Sequence, residues 1–163
     1  MAPFWSLFSI SPVFLMFLGT FVSCAGSTGG GIKMVRMVLL LKQARRELVR
    51  ALHPRVVNPV TMGRAMVPAT VIASIMAYML IYGATTIGLT MLMLLSGLDI
   101  VTAFSAVVAT VNNIGPGLGQ VGPASNFGVL TDFQTWVCTV AMLMGRLELL
   151  AVMVLFIPEF WRK

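Results

Sequence analysis

Long uncharged stretches are the feature that most constrains what this chain can fold into. Residues 1–32 carry no charged side chain, and none lies between Arg64 and Asp99 or between Asp99 and Asp132. A helix needs about 20 apolar residues to cross the hydrocarbon core of a bilayer. Only 10% of the 163 residues are charged, whereas soluble domains carry about 25%. These stretches exclude a soluble globule and a disordered chain, and they predict an all-α membrane protein with about three spanning units.

The basic residues cluster in one segment, which sets the expected topology. Eight of the eleven lie between Lys33 and Arg64, where Glu47 is the only acid. Such a cluster also occurs in nucleic-acid-binding proteins. Because apolar spans flank it on both sides, it more simply marks a cytoplasmic loop under the positive-inside rule. We therefore predict no nucleic-acid partner, a cytoplasmic loop over 42–64 within a proline-containing connector over 53–68, and a cytoplasmic C-terminus.

A glycine-rich break divides the first apolar segment. Within residues 24–31, glycine occupies four of the six positions from Gly26 to Gly31. Each glycine costs about 1 kcal/mol in a helix relative to alanine, so a continuous helix is not expected there. An unbroken helix over 3–52 would also measure about 75 Å, which is too long for a bilayer. We predict a glycine-broken transmembrane helix in 1–52, with an intramembrane loop buried in protein or lining a water-filled cavity.

A short apolar helix follows the next span. The span is predicted over 69–97, and Asp99 after it is a candidate helix N-cap. Residues 99–111 then form a helix of about 20 Å, which is too short to cross the membrane. Two asparagines and several glycines and prolines within 112–123 exclude a helix there. The predicted order is therefore a spanning helix, a re-entrant helix, a returning loop and a further span.

The loop after the short helix has the features of a cation-binding backbone. A dehydrated cation needs oxygen dipoles in place of its water, and backbone carbonyls supply them. The C-terminus of the preceding helix adds partial negative charge, and glycine permits the angles that orient successive carbonyls. Val111 to Gly115 include no charged side chain, so selectivity there would rest on backbone oxygens. An ordinary extracellular loop rich in glycine and proline is the alternative.

Two charged residues lie at membrane depth in the last span. We predict this span over 133–160, with Asp132 as its cap, and it contains Arg146 and Glu148. Charges in the bilayer are costly unless they are paired or solvated. Residues two apart on a helix do not face each other, so Arg146 is expected to find another partner. The carbonyls of the Gly26–Gly31 loop are the candidate partner because they lie at similar depth.

Enzymatic chemistry is disfavoured by the same residues. An enzyme built on Arg146 and Glu148 would lack a convincing nucleophile, a metal cluster and a general-base histidine within the spans. The two cysteines, Cys24 and Cys138, have neither a CxxC neighbour nor a nearby histidine. We therefore predict no enzyme, no disulfide framework and no metal-ligand cluster.

Four motifs resemble one known family in the right order. They are CAGSTGGGIK at 24–33, LLKQARRELVRALHPR at 40–55, NNIGPGLG at 112–119 and MGRLELL at 144–150. Together they resemble the C-terminal part of the Trk/Ktr potassium transporters, and they are most similar to the bacterial Trk pore subunit. The resemblance implies four joined helix–pore-loop–helix repeats around one pore. Under it, 1–52 is the second helix of the third repeat, 53–68 is a cytoplasmic connector, and 69–163 is the fourth repeat.

The resemblance also implies a role for individual residues. Potassium would bind a filter segment made of Asn112, Asn113, Ile114 and Gly115. The intramembrane gate loop would be Gly26, Ser27, Thr28, Gly29, Gly30 and Gly31. Arg146 would hold that loop, and Lys33 would lie close to the pore path. The implied activity is potassium uptake across the cytoplasmic (inner) membrane by a multi-pass protein.

The implied partners are a cytosolic nucleotide-binding regulatory subunit, a second copy of the pore subunit and membrane lipid.

This sequence contains one of the four filter segments that the resemblance calls for, and a quarter of a filter cannot encircle an ion. We therefore expect that the chain does not conduct by itself unless copies assemble or the missing part is supplied. A gene fragment, a misplaced start codon and a split gene all remain open. The alternative function is a non-conducting fragment that associates with a full-length pore subunit or with the cytosolic ring.

Overall fold

The computed structural model describes residues 5–21, 30–53, 55–56, 58–63, 65–147, 149–154 and 158–161. In this part the chain is mostly helical, which confirms the predicted all-α class. The helices are α1 Trp5–Phe21, α2 Met34–Leu52, α3 Ala69–Leu95, α4 Ile100–Val111, α5 Asp132–Arg146, α6 Leu149–Val154 and α7 Pro158–Trp161. A two-residue antiparallel hairpin, β1 Thr61–Met62 with β2 Ala65–Met66, connects α2 to α3.

Helix α3 is the longest apolar element. Its 27 residues span about 40 Å at 1.5 Å per residue. Among the described residues it is the one helix that is long and apolar enough to cross a membrane, while Ser11–Phe21 and Ile100–Val111 are apolar but shorter. Large apolar side chains such as Leu80 and Leu95 point away from the protein, as expected for a helix that faces lipid.

Helix α4 lies at the centre of the fold. Nine of its twelve residues are buried, and its small side chains Ala103, Ala106 and Ala109 are fully inaccessible. Small residues let neighbouring helices approach closely in a membrane protein. On its two sides, Met93 of α3 and Cys138 of α5 complete the same apolar cluster. This short helix is therefore surrounded by protein along most of its length.

The start of α4 is capped as predicted. The Asp99 carboxylate accepts a hydrogen bond from the Thr102 backbone N–H at 3.0 Å, which satisfies one of the helix's free N-terminal donors. The hydrogen bonds with Thr102 lower the pKa of Asp99. Asp99 therefore stays ionised to lower pH than an ordinary aspartate, and the cap is lost only when pH falls through that lowered pKa.

The predicted cap of α5 is wrong, because Thr131 and not Asp132 occupies that position. The Thr131 hydroxyl accepts a hydrogen bond from the Gln134 N–H, and the Gln134 side chain accepts one from the Thr131 N–H at 2.9 Å. This reciprocal pair is a capping box, and it leaves Asp132 as the first helical residue. Gln134 also donates to the Ser96 hydroxyl at 2.9 Å, which ties the start of α5 to the end of α3.

The last predicted span is also not one helix. Helix α5 ends at Arg146, and Leu147 leaves the helical conformation with its N–H still bonded to the Leu143 carbonyl. Gly145, a poor helix former, lies two residues before the break. The chain then continues as the short helices α6 and α7.

The capping box gives a direct stability test. We expect Thr131→Ala to lower the free energy of unfolding by about 1 kcal/mol, because the Gln134 N–H loses its acceptor. Asp132→Asn should cost less, since it removes only a first-turn charge. Thermal unfolding of the two purified variants in one detergent checks the order. A larger loss for Asp132→Asn would contradict the assignment of Thr131 as the cap.

Candidate functional site

The loop that follows α4 folds back alongside it. The Ile114 N–H bonds to the Ala109 carbonyl at 2.9 Å. The Leu118 N–H bonds to the Ser105 hydroxyl at 2.8 Å, and the Gln120 N–H bonds to the Thr102 hydroxyl at 3.2 Å. Later loop residues therefore contact earlier helix residues, so the loop runs antiparallel to α4 over about two turns.

The first loop residues take an unusual backbone path. Asn113 has φ +54° and is the one non-glycine residue with positive φ among the described residues, while Gly115 has φ +114°. Asparagine tolerates the left-handed region better than most residues, and glycine adopts it freely. A Cβ at position 115 would meet no atom within 4 Å. The glycine at 115 is therefore required by backbone conformation and not by crowding.

The peptide oxygens of this segment, residues 112–115, accept no hydrogen bond from the part of the chain that the structure describes. The segment also begins at the C-terminal end of α4, where the helix dipole places partial negative charge. The side chain of Asn113 and the backbone of Gly115 are exposed on one side of the protein. This arrangement suits a cation bound by backbone oxygens.

Asn112 anchors the start of the loop from inside. Its side chain is buried, and its amide nitrogen donates to the Val108 carbonyl at 2.8 Å. Its side-chain oxygen accepts a hydrogen bond from the Tyr82 hydroxyl at 3.1 Å. Both polar ends of this amide are therefore satisfied, one by α4 and one by α3, and the side chain has little freedom to move.

Three glycines from two other segments, Gly30, Gly31 and Gly145, pack closely against the end of α4 and the start of the loop. A Cβ on Gly30 would lie 2.9 Å from the Val111 carbonyl oxygen, and one on Gly145 would overlap that same oxygen. A Cβ on Gly31 would overlap the Asn112 side-chain oxygen. Any larger residue at these positions would force neighbouring backbone to shift. Sequence reasoning treated Gly30 and Gly31 as helix breakers, and it overlooked Gly145 although it lies in the MGRLELL motif.

Two tyrosines join the glycine segment to the loop. Tyr78 and Tyr82 stack on α3 with ring centroids 6.4 Å apart. The Tyr78 hydroxyl donates to the Gly31 carbonyl at 3.2 Å, while Tyr82 holds Asn112 as described. The Arg36 guanidinium lies 4.2 Å from the Tyr78 ring centroid, a favourable cation–π distance. Sequence reasoning missed both, although they are the only tyrosines and stand four apart in an apolar helix.

The structure brings one further predicted residue to the loop. Arg146 lines a cavity of about 220 Å³ together with Asn113 and Gly115. Lys33 is the residue before α2, half-buried and two positions after Gly31. Four residues of the predicted gate loop lie outside the described residues, and so do Cys24 and Glu148; the four are Gly26, Ser27, Thr28 and Gly29.

Comparison with known proteins places the chain beside one family. A family model described as "TrkH: Cation transport protein" matches residues 1–163. The chain is 42% identical over 158 residues to the Trk system potassium uptake protein TrkH of Vibrio parahaemolyticus, covering 97% of this chain and 32% of that protein. It is 38% identical over 150 residues to the Trk system potassium uptake protein TrkG of Escherichia coli K12, covering 92% of this chain and 30% of that protein.

A solved structure supports the same placement. The crystal structure of the potassium transporter TrkH from Vibrio parahaemolyticus superposes with a TM-score of 0.86 at 42% identity, covering 94% of this chain and 32% of that one. The relatives are described as transport proteins and not as enzymes. The chain spans about a third of the length of the relatives it matches.

The contact between Gly145 and Val111 generates a second test. We expect Gly145→Ala to lower the free energy of unfolding by about 1–3 kcal/mol, because α5 must move away from the end of α4. Gly88→Ala is the matched control, since a Cβ there meets nothing within 4 Å in the described structure. That change should leave stability unchanged or raise it by up to about 1 kcal/mol. Equal unfolding temperatures for the two variants would contradict the close approach.

Proposed function

The chain belongs to the TrkH cation transport family, and we propose that it contributes one filter segment and a gate to a potassium uptake pore. The proposed location is the cytoplasmic membrane, with several spans and with the basic segment 42–64 and the C-terminus on the cytoplasmic side. The observation that carries this proposal is that no described residue donates a hydrogen bond to the peptide oxygens of Asn112, Asn113, Ile114 and Gly115. Transported potassium is the ion that these oxygens would coordinate.

A dehydrated potassium ion requires a ring of oxygens that replaces its hydration shell. One segment supplies one side of that ring, so the proposal requires three further segments around a shared axis. Rigidity of each segment helps to keep the oxygens at the right distance. Here the Asn112 side chain is fixed by hydrogen bonds with Tyr82 and Val108. The later part of the loop is fixed by hydrogen bonds with the hydroxyls of Ser105 and Thr102.

The proposed gate lies next to the filter. Gly30 and Gly31 touch the start of the filter segment, so the glycine loop 26–31 would reach the ion path as it leaves the filter. Arg146 lines the cavity beside Asn113 and Gly115 and would hold the loop through its several guanidinium donors. Lys33 follows the loop directly and would place a positive charge near the path. Displacement of the loop would open the pore.

The proposed partners follow from the family and from the charged segment. We propose a second copy of the pore subunit and a cytosolic nucleotide-binding regulatory subunit, which would contact the basic cytoplasmic surface of α2 and its connector. A second candidate function is a non-conducting piece that associates with a full-length pore subunit or with the regulatory ring. It is favoured by the fact that the chain spans about a third of the length of its relatives. Potassium rescue of an uptake-deficient cell by this chain alone would exclude that candidate.

Substitution of the filter glycine tests the proposed function. In a full-length protein, Gly115→Ser should reduce potassium-over-sodium selectivity by about tenfold, because a side chain strains a residue at φ +114°. Gly97→Ser is the matched control, since Gly97 also has positive φ and open space around its Cβ but lies between α3 and α4. Flux assays with both ions measure the ratio. Unchanged selectivity in Gly115→Ser would overturn the filter assignment.

The gate has its own test. We expect Arg146→Ala in a full-length protein to raise potassium leak under closed conditions by several fold, because the glycine loop loses its proposed anchor. Arg50→Ala removes the same charge from an exposed position on α2, where Arg50 lies 3.8 Å from Glu47, and should leave the leak unchanged when the pore subunit is recorded without the cytosolic regulatory subunit. Single-channel or vesicle flux recordings compare the two. An open probability equal to that of the parent would refute the anchor.

A further inference from the structure

A second cavity lies away from the filter, on the basic side of the protein. It has a volume of about 330 Å³ and is enclosed between α2 and the segment 58–61 that leads into the hairpin. Lys42, Arg45 and Arg46 form the wall that α2 contributes. Residues three and four apart share one face of a helix, so these cations point to the same side. The cavity is thus a basic groove between two elements of the fold.

The opposite wall is fixed in place by packing. Val60 is buried in a cluster with Leu39 of α2 and Ile72 of α3. The Lys42 ammonium donates a hydrogen bond to the Thr61 carbonyl at 2.7 Å. Apolar packing on one side and a charge-assisted hydrogen bond on the other therefore hold segment 58–61 against α2. The cavity is built into the structure and does not depend on exposed side chains alone.

The positive charges of Lys42, Arg45 and Arg46 are not neutralised within the described lining of the cavity, because none of the described residues that line it is acidic. Glu47, the acid of α2, accepts a hydrogen bond from Gln43 at 2.8 Å and lies 3.8 Å from Arg50, so it is engaged outside the cavity. Like charges on neighbouring turns repel one another. An anion in the cavity would relieve that repulsion.

Part of the Arg46 side chain is packed inside the protein beside the cavity. The Arg46 Nε atom is shielded from solvent and has no hydrogen-bond partner among the described residues. Its terminal nitrogen makes a long contact of 3.4 Å with the Gln43 side-chain oxygen. A buried donor without a partner is unfavourable. A guanidinium group pairs well with the oxygens of a phosphate group.

We propose that this cavity binds a phosphate group, held by Arg45, Arg46 and Lys42. The neighbouring surface favours a membrane phospholipid as its source. Leu41 and Leu48 are exposed on α2, and with Arg45 they follow the 4, 3 spacing of one helix face. A headgroup phosphate in the cavity would thus have its acyl chains beside exposed leucines, as expected of a basic cluster next to a transmembrane helix. Free phosphate is the other source of the same chemistry.

Ligand-induced stabilisation of the purified chain in detergent tests the proposal without any ion flux. The probes are dioctanoyl phosphatidylglycerol, dioctanoyl phosphatidylcholine and inorganic phosphate, and the readouts are the unfolding temperature and lipid retention in native mass spectrometry. We expect phosphatidylglycerol to raise the unfolding temperature most. Arg45→Gln and Arg46→Gln should each weaken its apparent affinity by about tenfold, the loss expected for one charged hydrogen bond.

The control is Arg50→Gln, which removes the same charge from the same helix outside the cavity and should bind like the parent. Arg45 is exposed, so its replacement keeps the test valid if Arg46→Gln fails to fold. Stabilisation by inorganic phosphate at the same concentrations, with the same dependence on Arg45, would assign the site to the free anion. No stabilisation by any probe, or an equal loss in Arg50→Gln, would overturn the site.

Discussion

The burial of α4 is the constraint on which the rest of the structure depends. A twelve-residue helix is too short to cross a bilayer, and its free C-terminal carbonyls would be costly in lipid. The fold solves this by surrounding the helix with protein, from Met93 of α3 to Cys138 of α5. The loop after the helix then returns along its side, bonded to Ser105 and Thr102. Helix and loop therefore stabilise each other.

Close approach at the end of α4 explains the placement of glycine. Gly30 and Gly145 come from different parts of the chain, yet both leave room for the Val111 carbonyl oxygen. A glycine weakens its own helix by about 1 kcal/mol, so its presence near the end of α5 is a local loss that permits a tertiary contact. The break after Arg146 lies next to this contact. The end of α4, the end of α5, the segment 112–115 and the segment Gly30–Gly31 thus meet at one point.

Features that depend on the local sequence pattern, such as helix positions and helix caps, could be predicted from the sequence. Uncharged stretches located α3, the 99–111 segment matched α4, and Asp99 was recognised as a cap because one residue type in one position suffices. The Thr131–Gln134 capping box was also readable from sequence, but the neighbouring Asp132 drew attention away from it. By contrast, the link from Gly31 through Tyr78 and Tyr82 to Asn112 joins three segments. Hydropathy and spacing carry no signal for such tertiary contacts, so this chain of hydrogen bonds could not be predicted in advance.

Electrostatics gives the proposed pore two opposing features a short distance apart. The peptide oxygens near the end of the α4 dipole would attract a cation at Asn113 and Gly115, whereas the Arg146 guanidinium, which lines the same cavity, would repel one. A fixed positive charge near a filter slows permeation unless acceptor groups neutralise it. The peptide oxygens of the proposed gate loop would be such acceptors. One interaction would then both hold the loop and screen the charge of Arg146. Loss of that interaction would then change the proposed path sterically and electrostatically at once, so a gate beside Arg146 would respond to a small displacement.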